Sequence, residues 1–157
     1  MRYIELDTPA LLIDRERLTK NLKDMQSYAD AHGVALRPHT KTHKCPEIAK
    51  MQLAAGACGI AVAKVGEAEA MAEAGLDDLF IANEIVGEAK LRRIAALAKR
   101  GVKLAFGVDT PCQVTAAESV FAQEGVSVPV LVEIEVGENR SGVIEESDFL
   151  ALLDTIR

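Results

Sequence analysis

Residues 37–44, RPHTKTHK, gather the side chains best suited to covalent chemistry. Arg37, His39, Lys41 and His43 alternate, so in an extended chain they share one face. Like charge and desolvation at the end of a strand both disfavour a lysine ammonium. A neutral amine is the nucleophile that Schiff-base chemistry with a carbonyl requires. Lys41 is therefore the candidate nucleophile, against the plain alternative of a solvated loop after Pro38. The two histidines of HTKTH are not read as a metal pair. No helix puts them on one face, and no carboxylate accompanies them.

A second stretch, VEIEVGENRSGV at 132–143, alternates apolar and acidic residues until Gly137 breaks the pattern. Arg140 lies in the loop that follows. It either pairs with Glu133, Glu135 or Glu138 on the surface, or is held out to bond an anionic oxygen. Glu67 opens a helix in AKVGE, where a carboxylate complements the helix dipole. Asn83 and Glu84 sit at a predicted strand end. No dinucleotide-binding GxGxxG, no phosphate loop of the Walker type and no GxSxG is present.

These residues must be positioned by something, and glycine spacing shows what. Helical patterns stop at Gly33, Gly56, Gly75, Gly101 and Gly125, where glycine supplies a left-handed cap without a Cβ penalty. Each is followed by a short apolar run: 34–36, 58–62, 79–82, 103–108 and 128–134. Another run, 10–13, precedes the first helix. Such nearly continuous runs read as strands buried on both faces. Between them lie helical faces: Leu18, Leu22, Met25 and Ala29; Leu91, Ile94, Ala95 and Ala98; Val114, Ala117, Val120 and Phe121. Asp14 is the expected N-cap of the first helix. Strand and helix alternate about six times at roughly 24 residues per unit, which predicts right-handed βαβ crossovers and a parallel α/β sheet. In parallel sheets ligands bind at the carboxyl ends of strands. The segments 37–44, 63–67, 82–88, 107–111 and 136–143 are the ones that occupy those ends.

Composition excludes several classes. The 157 residues are 49% apolar and 27% charged, enough for one core and too ordered in pattern for a disordered chain. A formal charge of -6 argues against a general nucleic-acid surface. No apolar run reaches the length of about 18 residues that a membrane span needs. The N-terminus lacks the basic head, apolar stretch and cleavage site of a signal peptide, so a cytoplasmic location is expected. Cys45, Cys58 and Cys112 form no CxxC and are expected to be small buried thiols.

LRPHTKTHKCPEIA, preceded by DTPALLID and followed by VEIEVGENRSGV, resembles the D-threonine aldolase and D-serine dehydratase family. These are pyridoxal-phosphate enzymes with an alanine-racemase-like barrel, and the resemblance covers essentially the whole chain. It implies that Lys41, and not Lys44, forms the internal aldimine with pyridoxal 5'-phosphate. It places Arg140 near the phenolic oxygen of that cofactor and His39 in the pocket lining. The implied fold is the first part, about five strands, of a TIM-type (β/α)8 barrel. Residues 1–157 are then the N-terminal part of the barrel domain, and 1–14 are a strand of a β-domain completed elsewhere. A full barrel needs about 250 residues. The family's phosphate-binding loops and divalent-metal ligands are accordingly expected outside this chain.

The implied reaction is aldol cleavage of a D-β-hydroxy-α-amino acid to glycine and an aldehyde. Val62, Ala63 and Lys64 stand where many D-threonine aldolases have cysteine-glutamine-lysine, which keeps a D-serine dehydratase-like lyase beside the aldolase. A non-catalytic pyridoxal-phosphate-binding protein and an inactive fragment are the remaining alternatives. The expected partners are a small D-amino acid and, among assemblies, a homodimer, with neither nucleic acid nor membrane.

Overall fold

A computed structural model describes residues 2–157. Helix α1 spans Arg15–Ala31, and the Asp14 side chain accepts the Arg17 N–H at 3.0 Å, the N-cap expected from the sequence. Helix α2 is Pro46–Ala55. There follow β1 (Ile60–Val62), α3 (Val65–Glu73), β2 (Asp78–Glu84), α4 (Glu88–Lys99), β3 (Lys103–Val108), α5 (Pro111–Glu124), β4 (Val130–Val132) and α6 (Glu146–Ile156). The five helix-ending glycines all have positive φ, from 64° at Gly125 to 122° at Gly56. That is the left-handed region that made them legible as stops.

The strands pair in chain order, β1-β2-β3-β4, and every ladder is parallel. The helices cover one face. Ile60, Val62, Leu79, Ile81, Leu104, Phe106 and Val108 turn toward them and are buried. They meet Met71, Leu91, Ile94, Ala117, Val120 and Phe121 in one core. Phe106 stands edge-on to Phe121 with ring centroids 6.1 Å apart, a favourable aromatic geometry. The residues between, Phe80, Ala82, Ala105 and Leu131, have the opposite parity and turn to the other, more open face. This is the arrangement of a (β/α) barrel wall: helices outside, alternate strand residues inside.

Three expectations need correction. Residues 34–36 form no strand. The chain reaches β1 only through Cys58 N–H to Leu36 O (2.9 Å), Ala61 N–H to Pro38 O (2.8 Å) and a single parallel bridge from His39 to Ala61. Pro38 has no N–H to donate, so this fifth strand is reduced to a one-sided edge. Residues 10–13, expected to join a β-domain completed elsewhere, pair with no strand among the described residues, and Leu11 is fully exposed. The α1 face is only partly covered, with Ala29 buried but Met25 49% exposed, because α1 packs chiefly on α2 at the edge of the array. The cysteines are not buried: Cys58, ahead of β1, and Cys112, in the first turn of α5, are exposed, and Cys45 is half-buried.

Because Phe106 is fully enclosed at the centre of the sheet, Phe106→Ala should cost about 3–5 kcal/mol of folding stability. Urea unfolding monitored by circular dichroism measures this. A loss under about 1 kcal/mol would mean that this face of β3 is not the core.

Candidate active site

All strands point their carboxyl ends to one rim, and the predicted site residues separate along the strand axis. Arg37 is not at that rim. Its guanidinium donates to Asp78 Oδ1 at 2.7 Å and to Asp78 O at 3.3 Å, at the amino end of β2. It reaches there by crossing β1 at Gly59, where an added Cβ would lie 2.1 Å from an Arg37 nitrogen. Arg37 thus closes the opposite end of the sheet, and the four-cation face expected of an extended 37–43 segment does not form.

The reason lies in a turn. Residues Thr40–Thr42 form one turn of 3-10 helix, started by His39, whose Nδ1 accepts the Lys41 N–H at 3.1 Å. Local capture of a backbone N–H by a side chain two residues earlier competes with extension. Thr40 is fully buried, and its Oγ1 lies 3.3 Å from Ala61 O, which pins the turn over the end of β1. Burial, followed by the charge of Lys41, pushes the His39 pKa down, and Glu67 opposes this. Neutral His39 is the form that can accept the Lys41 N–H. Lys41 itself is exposed, and its Nζ makes no hydrogen bond or ion pair among the described residues. Lys44 is engaged: Nζ lies 3.2 Å from Glu67 Oε1. This ion pair, rather than strand parity, distinguishes the two lysines.

Glu67 has the structural role its position suggested. It is buried in the first turn of α3, and its other oxygen accepts the Ala63 N–H at 2.7 Å. Burial opposes its charge, but the Ala63 N–H and Lys44 outweigh this and hold its carboxyl below the usual range. Asn83 donates from Nδ2 to Ala63 O at 3.1 Å, tying β2 to the end of β1.

On the far side, the 133–143 loop is built around carboxylates. Backbone N–H groups of Gly137 and Arg140 donate to Glu135, the latter at 2.9 Å. With Asn139 they lower the Glu135 pKa to about 2. The loop folds back so that Glu135 N–H donates to Val143 O (3.0 Å) and Val143 N–H to Glu133 O (2.9 Å). Gly142, at φ 100°, permits this, since a Cβ there would stand 2.6 Å from the Glu135 nitrogen. Gly142 N–H also donates to Asp109 Oδ2 at 3.1 Å. The Arg140 side chain is exposed and forms no ion pair among the described residues. The expected alternative, Arg140 pairing with a neighbouring glutamate, is not what forms.

Two features had no sequence signal. The β2–β3 register slips between Ile81 and Glu84, so that Glu84 pairs with Gly107. Across that glycine Glu84 meets Glu133, which also accepts from Ser141 Oγ at 2.7 Å. The Glu133 contact, then burial, raises the Glu84 pKa; the same contact and Ser141 lower that of Glu133. Lys64, the N-cap residue of α3, is a second exposed amine on the rim.

The inner wall below this rim carries small residues: above Phe80 the inward positions are Ala82 and Gly107, and a Cβ at Gly107 would meet Glu133 Oε2 at 3.4 Å. Lys41 and Arg140 stand on segments four strand steps apart, roughly 19 Å along the sheet. Glu67 sits at the start of α3 and Glu88 at the start of α4, each a negative charge where an anion would otherwise bind, while the first turn of α5 has no acidic residue. The described residues do not bring together three groups able to ligate a metal.

The family model for the alanine racemase N-terminal domain matches residues 13–157. The chain is 45% identical over 152 residues to D-threonine aldolase of an Arthrobacter species, covering 97% of this chain and 40% of that protein. It is 39% identical over 140 residues to D-threo-3-hydroxyaspartate dehydratase of Delftia sp. strain HT23, covering 89% of this chain and 37% of the relative. The crystal structure of D-threonine aldolase from Filomicrobium marinum superposes with a TM-score of 0.91 at 41% identity, over 95% of this chain and 40% of that one. The chain thus spans about two fifths of the length of these relatives.

The Glu135 nest makes a pH prediction. A folded pKa near 2, below the ordinary carboxylate value of 4.5, means its stabilisation is complete above about pH 5 and is lost as pH falls through 2. Amide exchange at Gly137 and Arg140 should show constant relative protection above pH 5 and a decline between pH 4.5 and 2. Glu135→Gln should remove the pH dependence. Protection independent of pH in the unmodified protein would show that Glu135 does not hold the loop.

Proposed function

The chain belongs to the alanine racemase N-terminal domain family, and from that premise we propose that it carries the lysine-bearing part of a pyridoxal-phosphate-dependent aldolase for D-β-hydroxy-α-amino acids. The carrying observation is the contrast at the rim: Lys44 is bound to Glu67, whereas Lys41 is presented by a pinned turn with its amine free. The higher identity to a D-threonine aldolase favours aldol cleavage over dehydration.

Pyridoxal phosphate, when bound, supplies an electron sink for the pair left at Cα. Lys41 Nζ is the point of attachment on this chain. His39 fixes the Lys41 backbone and, held neutral, lines the pocket beside that amine. Arg140 presents a permanent, bidentate donor to the phenolic oxygen side. Ala82 and Gly107 put no bulky side chain of their own on the inner wall. The starts of α3 and α4 carry Glu67 and Glu88 and so do not suit the phosphate. A divalent cation of the kind the family resemblance implies would take its ligands from outside these residues. Residues 10–13, apolar and exposed here, suit a strand of a separate β-domain.

The test uses the complete protein with pyridoxal phosphate. A visible absorption band that borohydride bleaches should be lost in Lys41→Ala and retained in Lys44→Ala. Arg140→Ala should keep the band but weaken cofactor binding roughly tenfold to a hundredfold, the loss of one charge-assisted hydrogen bond of about 1.5–3 kcal/mol. With D-threonine, glycine and acetaldehyde are the expected products. A 2-oxo acid and ammonia would assign the dehydratase chemistry, and a band without turnover would leave a carrier. Survival of the band in Lys41→Ala, or its loss in Lys44→Ala or Lys64→Ala alone, would overturn the assignment of Lys41.

A further inference from the structure

His43 closes the turn that carries Lys41. Its N–H donates to Thr40 O at 3.1 Å, and its Nδ1 accepts the N–H of Cys45 at 3.0 Å, at the N-cap of α2. Cys45 offers no side-chain cap of its own. The motif is therefore symmetric: His39 and His43 each accept the N–H two residues ahead, one before Lys41 and one after it. Only the tautomer with its proton on Nε2 can do this.

That proton has a direction. His43 Nε2 is buried without a hydrogen-bond partner, and so is Gln52 Oε1 on α2, which faces the ring. One is a donor in the required tautomer and the other an acceptor. Gln52 also lines a cavity of about 190 Å³ with Leu22, Met25, Leu36 and Pro38. Buried unpartnered polar atoms are costly, so the pairing of a donor on His43 with an acceptor on Gln52 calls for an explanation.

We propose that His43 is a positioning residue for Lys41. Held between the Cys45 N–H and the Gln52 carboxamide, it anchors the carboxyl end of the turn to α2, so that Lys41 projects from a rigid bracket whose other arm is His39. This rests on Lys41 being the cofactor lysine. Burial, which lowers the His43 pKa, favours the neutral ring that the geometry requires.

The experiment measures capture of pyridoxal phosphate by borohydride in the complete protein, mapped by peptide mass at Lys41, Lys44 and Lys64. In His43→Asn, Oδ1 replaces Nδ1 as acceptor, and capture at Lys41 should stay within about twofold of the parent. In His43→Leu, capture at Lys41 should fall about tenfold, the effect of one lost hydrogen bond, with Lys64 unchanged. Equal capture at Lys41 in the parent and His43→Leu would overturn the positioning role. No preference for Lys41 in the parent would instead overturn the reading of Lys41, and this proposal with it. Nitrogen-15 NMR of the unmodified protein decides independently of whether the variants fold. A His43 ring protonated at Nε2 and accepting at Nδ1 supports the proposal, and a ring protonated at Nδ1 overturns it.

Discussion

Parallel pairing in chain order is the constraint on which the rest of this structure depends. It sends each chain segment that leaves a strand's carboxyl end to the same rim, and each return to the opposite one. The helices must then make every crossover on one face, which commits Leu79, Ile81, Leu104, Phe106 and Val108 to a single core. Phe80, Ala82 and Ala105 are left on the inner wall by strand parity alone. The chemistry follows from that division. Whatever is polar and projects from the rim faces a common space, and whatever lies at the amino ends, as Arg37 and Asp78 do, can only close the floor.

Within the rim, charges fall into two groups. The carboxylates are occupied: Glu67 by Lys44 and a backbone amide, Glu135 by the loop amides, Glu133 by Ser141. Lys41 and Arg140 are not. An exposed cation is hydrated and a surface ion pair adds little stability, so a free Lys41 and Arg140 cost the fold nothing. Backbone bonds hold Glu135 in its loop. The acids shape the loops, and on the proposed reading the cations meet the ligand.

Much of this was legible in the residues. Glycine stops, the Asp14 cap and the apolar runs at 79–82 and 103–108 locate helices and strands because those signals are local and physical. The first run departs from an extended, alternating pattern because Pro38 withholds a ladder donor and His39 captures the Lys41 N–H, two local effects that outweigh it. Arg37 went to Asp78, 41 residues away, through space that only the absent side chain of Gly59 provides. The Glu84–Glu133 contact needs a register slip that no local pattern encodes. The choice of Lys41 as the proposed cofactor lysine comes from family resemblance; the Lys44–Glu67 pair separates the two lysines in a way that parity did not predict.

The central claim is that Lys41 and Arg140, on segments at opposite ends of the strand array, face one ligand across its carboxyl-end rim. A crystal structure of the complete protein grown with pyridoxal phosphate tests it most directly. The account predicts continuous density from Lys41 Nζ to the cofactor, with the Arg140 guanidinium within hydrogen-bond reach of the ring's phenolic oxygen. Density joined to another lysine, or a cofactor lying toward Arg37 and Asp78, would contradict it.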